Sequence, residues 1–75
     1  MSSDNPLRVT VAGALRAEMA RRRLISTDLA SVLNCSQSSA SRRLTGEVGL
    51  DLDQVALISE WLGVTPESLL NGSAA

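Results

Sequence analysis

Any core this chain builds has to be aliphatic. Trp61 is the one aromatic residue among 75, histidine is absent, and Cys35 has no second cysteine to pair with. A disulfide framework needs paired cysteines and a structural zinc site needs a Cys/His cluster, so neither can staple the chain. What remains is the packing of Leu, Val, Ile, Ala and Met, which at this length stabilises a fold by only about 3–5 kcal/mol. With so small a margin, each apolar stripe must be buried against another. The stripes recur every three to four residues, the helical period, and no run shows strand alternation with hairpin turns. The expectation is one all-α domain.

The stripes outline five helices. Leu7, Val11, Leu15 and Met19, with Ala12 beside them, mark a first helix running to about Arg23. It opens at Pro6 behind a cap from Asp4 or Asn5, or nearer residues 8–11, because Val9-Thr10-Val11 and Gly13 weaken its beginning. Ser26 or Thr27 caps the second, whose buried face is Leu29, Ala30, Val32 and Leu33 and whose end is Asn34, the residue after Gly best suited to left-handed backbone. Cys35 follows as an apolar plug in the turn. Ser36 caps a third helix over 37–45, ended by Gly46. Asp51 caps a fourth with Leu52, Val55, Ala56, Ser59 and Leu62 inward and Leu57 and Trp61 on the opposite side. Thr65-Pro66-Glu67 starts a short fifth helix carrying Leu69 and Leu70. The expected organisation is a flexible segment 1–5, the domain 6–71 and a flexible tail 72–75.

The third helix, within SQSSASRRL, is unusually polar, although serine is a mediocre helix former. At 100° per residue, Ala40 and Leu44 share the inner side, while Gln37, Ser38, Ser41 and Arg42 share the outer. Short hydrogen-bonding side chains there would let the helix approach a partner closely. The net charge of −1 argues against a polyanionic partner, but its distribution does not. Residues 16–46 hold six arginines against Glu18 and Asp28, a balance of +4, whereas residues 47–75 hold five acids and no cation, a balance of −5. The basic part is centred on the serine-rich helix, and the acidic part would have to face away from a polyanionic partner.

The stretch LASVLNCSQSSASRRLTG, with Leu29, Ala30, Leu33, Asn34, Cys35 and Ala40 at the matching places, resembles a helix-turn-helix unit. With LDLDQVALISEWLGVTPESLL, the chain from about Val11 to Leu70 resembles the five-helix DNA-binding domain of the lambda-repressor and Cro-like (XRE-type) family. That resemblance implies a recognition helix entering the major groove. Gln37, Ser38, Ser41 and Arg42 would then meet base edges, and Ser26, Ser36, Arg43 and Thr45 phosphates. Glutamine can pair bidentately with adenine and arginine with guanine. The chain departs from the family pattern at Ile25, where a Ser or Thr cap is usual and the cap would move to Ser26. It departs again at Arg43, where an aliphatic anchor is usual; Arg43 is expected along the helix edge, toward phosphate or an acid of the fourth helix.

The implied function is that of a phage-repressor-type transcriptional regulator on a two-fold symmetric double-stranded operator, as a homodimer or as part of a longer protein, with Leu57 and Trp61 as candidate dimer or inter-domain contacts. The competing reading is a helical protein-interaction module, antitoxin-like or anti-regulator, that keeps the fold without operator binding. Against it, the outer face of residues 37–42 has no large apolar anchor. No catalytic constellation, metal site, cofactor motif or small-molecule signature is evident, so no enzyme is expected. With no secretory signal or run of ~20 apolar residues, the expected location is the cytoplasm, away from the membrane.

Overall fold

The computed structural model describes residues 6–72. Five helices follow one another: α1 (Pro6–Arg21), α2 (Ser26–Leu33), α3 (Gln37–Thr45), α4 (Leu52–Leu62) and α5 (Pro66–Leu70). No strand occurs among the described residues. The expected caps Asp4 and Asn5, the segment 1–5 and tail residues 73–75 lie outside them. Gly72, placed in the tail by sequence, closes the turn after α5, its N–H donating to the Leu69 carbonyl at 3.2 Å. It sits so close to Thr10 that an added Cβ would lie 2.9 Å from that side chain.

Three of the helices stop by one device. Arg23, Asn34 and Gly63 each take left-handed backbone, with φ of 58°, 55° and 73°. The next residue's N–H then reaches back five positions: Leu24 to Met19 at 2.9 Å, Cys35 to Ala30 at 3.0 Å and Val64 to Ser59 at 3.0 Å. This satisfies carbonyls the helix end would otherwise leave open. In each case the reversal turns an apolar side chain, Leu24, Cys35 or Val64, against the core. Asn34 and Gly63 advertise the conformation and Arg23 does not, so α1 ends at Arg21, two residues before the end expected from its stripe.

The helix starts are chemically distinct. Ser36, Asp51 and Thr65 accept from the backbone N–H groups of Ser39 (3.1 Å), Gln54 (2.7 Å) and Ser68 (3.2 Å). At α4 the cap is reciprocal, the Asp51 N–H donating to Gln54 Oε1 at 3.1 Å. The start of α2 corrects the sequence reading: the capping position is Ile25, not Ser26 or Thr27. An isoleucine side chain has no acceptor, so only half of a capping box forms, with the Ile25 N–H donating to Asp28 Oδ2 at 2.8 Å.

The core consists of Ala14, Leu15 and Met19 from α1, Leu29 and Ala30 from α2, Ala40 from α3, Ile58 and Leu62 from α4, and Leu69 from α5. Ala40 is fully buried and Leu44 packs beside it, the two anchors expected for the polar helix. Three expectations need correction. Leu7 is 48% exposed and Leu52 82%, so neither lies in the stripe assigned to it. On α4 the inner face is Val55, Ile58, Ser59 and Leu62, with Ala56 exposed. Trp61 packs against the core while Leu57 stays exposed, so they do not form one outward pair. Rotation by one residue explains this: Ile58, three residues after Val55 and four before Leu62, centres the buried stripe.

Candidate nucleic-acid interface

Asn34, Cys35 and Ser36 separate α2 from α3, and the left-handed Asn34 sets the angle between them. Small residues let the two helices close: Ala30 and Ala40 are both buried where α2 and α3 meet the core. The opposite side of α3 is open. Gln37, Ser38, Arg42 and Thr45 are exposed and Ser41 is half-buried. Three of the four base-reading candidates are thus exposed and the fourth half-buried, in a strip with no bulky apolar group.

Several of these side chains already have local partners. Gln37 Nε2 donates to Ser26 Oγ at 3.1 Å, bringing together two candidates eleven residues apart. The Ser36 hydroxyl caps α3. The Thr45 hydroxyl donates to the Arg42 carbonyl at 3.0 Å and accepts from the Glu47 N–H at 3.3 Å, so it shapes the chain leaving α3. Arg43 folds back along α3, its Nη1 donating to the Ser39 carbonyl at 3.0 Å and to the Ser39 hydroxyl. It does not reach an acid of α4, one of the two placements expected of it. Its side chain lines a hollow beside α1 and α4, so it is not gathered with Gln37 and Ser26; Thr45 also stands apart from them, at the far end of α3.

The arginines divide by task, which sequence did not show. Arg8 Nη1 donates to the Glu47 carbonyl at 3.1 Å and Arg16 Nη1 to the Leu44 carbonyl, so α1 holds both the end of α3 and the loop after it. Arg21 and Arg22 pair with Glu18, which is only 5% exposed. Arg22 also donates through Nη2 to the Leu62 carbonyl at 2.8 Å, fastening the end of α1 to that of α4. Among the described residues, Arg23 and Arg42 are the arginines whose guanidinium groups make no hydrogen bond or ion pair. Much of the basic cluster is therefore structural, and Arg42 is the uncommitted cation on α3.

The acids of the last third are placed on α4, α5 and the loop before them: Asp51 and Asp53 at the start of α4, Glu60 near its end, Glu67 in the first turn of α5. None lies on α3. No described group of His, Cys, Asp and Glu residues could hold a metal ion, and no described helix is long and apolar enough to cross a membrane.

A family model described as the BetR domain matches residues 6–75. No curated protein and no solved structure matches the chain.

Proposed function

The chain belongs to the BetR domain family, a small helical regulatory domain of helix-turn-helix type, and from that premise we propose that it binds double-stranded DNA sequence-specifically, as a transcriptional regulator of the lambda-repressor and Cro-like kind. The observation that carries this reading is the uncommitted Arg42 guanidinium on an exposed, small-residue face of α3, beside a Gln37 whose amide is tethered to Ser26. An α-helix with short side chains fits the major groove, where Arg42 can donate two hydrogen bonds to guanine. The amide of Gln37 has one N–H on Ser26 and keeps a second N–H and its Oε1, the donor and acceptor an adenine edge requires.

Ser38 and Ser41 complete the base-facing strip in this reading. Ser26 and Ser36 stand at the starts of α2 and α3, and Thr45 at the end of α3, where phosphates would pass. The domain acts by binding, with no catalytic step. The molecule measures 36 × 26 × 20 Å, comparable to the ~34 Å between half-sites on one face of a duplex. Two copies side by side could therefore each place α3 in successive major-groove turns of a two-fold symmetric operator.

Selection of bound sequences from a random duplex pool, followed by titration at two salt concentrations, tests the proposal. A specific regulator should enrich one motif and lose affinity steeply as salt rises. Failure to enrich any motif, with salt-insensitive capture of a protein partner through α3 instead, would favour an interaction module and overturn it.

A further inference from the structure

We propose that two copies of this chain pair through a two-fold contact in which Leu52 of each enters an apolar hollow of the other. The hollow, about 260 Å³, opens between the starts of α1 and α4 and is walled by Leu7, Val11, Leu50, Val55 and Leu70. Arg8 and Arg43 line it and no acid does. Arg43 Nε is buried without a hydrogen-bond partner, although a buried donor ordinarily finds one.

Leu52 lines the same hollow and is 82% exposed, the most exposed large apolar residue described; Leu7, which also lines it, is 48% exposed. Exposed Asp51 and Asp53 flank Leu52. One face therefore carries both an apolar peg between two carboxylates and an apolar socket bordered by two guanidiniums. A patch complementary to itself is what a closed two-fold contact requires. The second copy is the occupant because it buries both halves of the pattern, whereas a small carboxylate would fill the socket and leave Leu52 in water. Opposite charges around the rim fix the pairing direction.

This contact uses residues other than the Leu57 and Trp61 pair expected from sequence, of which Trp61 is half-buried against the core and Leu57 exposed. It does not use Gln37, Ser38 or Arg42, which stay open. Its bearing on a two-fold operator rests on the proposed DNA binding, but the pairing itself is measurable without DNA, so either idea can fail alone.

The test is sedimentation equilibrium of the DNA-free protein from about 1 μM to about 1 mM, a range covering weak to moderate association. The mass should rise from 7.9 kDa toward twice that value. Leu52→Glu should hold it at the monomer, with unchanged circular dichroism because the site is exposed. Asp53→Arg should weaken pairing about ten-fold, and Leu57→Glu should leave it unchanged. A monomer throughout, a dimer indifferent to Leu52→Glu and Asp53→Arg, or a dimer abolished by Leu57→Glu overturns the proposal.

Discussion

Gln37 Nε2 donates to Ser26 Oγ at 3.1 Å, so the first residue of α3 is held by the first residue of α2. The bond is exposed and contributes little to stability, but it fixes the amide of a long side chain that would otherwise rotate freely. Pre-ordering that amide leaves less conformational entropy to lose when a base is bound.

Ser26→Ala should accordingly leave the fold intact, with a stability change of about 0.5 kcal/mol or less for a surface substitution. It should reduce discrimination at the base pair read by Gln37 several-fold, while Gln37→Ala removes the whole contact, about 1–3 kcal/mol. Titration against matched and single-mismatch duplexes checks both. Equal preference in Ser26→Ala and wild type would show that the tether plays no part.

The two neighbouring arginines of α3 should separate. Arg42→Ala removes a guanidinium with no partner among the described residues and should not alter stability by more than about 0.5 kcal/mol, yet it should cost about 1–3 kcal/mol of discrimination against the wrong base. Arg43→Ala breaks the bonds to Ser39 and should change base preference little. Urea unfolding and duplex selection on both variants provide the readout; relaxed specificity in Arg43→Ala alone would reverse the assignment.

Glu18 is buried between two arginines, and Arg22 reaches past it to the Leu62 carbonyl. Arg22→Ala opens the end of α4 and leaves Glu18 with Arg21 alone. The expected cost is about 1–3 kcal/mol, as for a lost charged hydrogen bond. For a domain of this size each kcal/mol lowers Tm by roughly 4–8 °C. Arg23→Ala should cost much less, and thermal melts of the two variants compare them directly.

Left-handed backbone offers a prediction of opposite sign. Arg23 adopts φ of 58° at a position where glycine has no Cβ penalty, so Arg23→Gly should stabilise by about 0.5–1 kcal/mol. At Gly63, φ is 73° and an added Cβ would meet nothing within 4 Å. Gly63→Ala should therefore cost about 1 kcal/mol through backbone conformation alone. Chemical denaturation of both variants shows whether the signs differ as expected.

Ser59 is 3% exposed and its hydroxyl has no hydrogen-bond partner. Ser59→Ala removes an unsatisfied buried group without opening much space, so stability should hold or rise by up to about 1 kcal/mol. A loss of 2 kcal/mol or more on unfolding would mean that the hydroxyl is satisfied in solution.

The legible parts of the fold were those governed by neighbours in sequence. Ser36, Asp51 and Thr65 act within one turn, and Asn34 and Gly63 act on their own backbone, so these boundaries could be read directly. Ala40 and Leu44 identified the inner side of α3 because little else on that helix is apolar. The start of α2 was not legible, because Ile25 advertises no cap and the bond it makes is from its backbone to Asp28.

By itself, the sequence determined an all-α chain with an aliphatic core, the turn at Asn34-Cys35-Ser36 and the small outward residues of α3, since periodicity, capping and glycine conformations are local properties. Tertiary structure alone decided which arginines are free. Arg8, Arg16 and Arg22 became occupied by carbonyls 39, 28 and 40 residues away, and it left Leu52 in water beside a socket walled from several helices. Such pairings depend on where distant segments meet, and a guanidinium satisfied by a remote carbonyl has no signature in its neighbours along the chain.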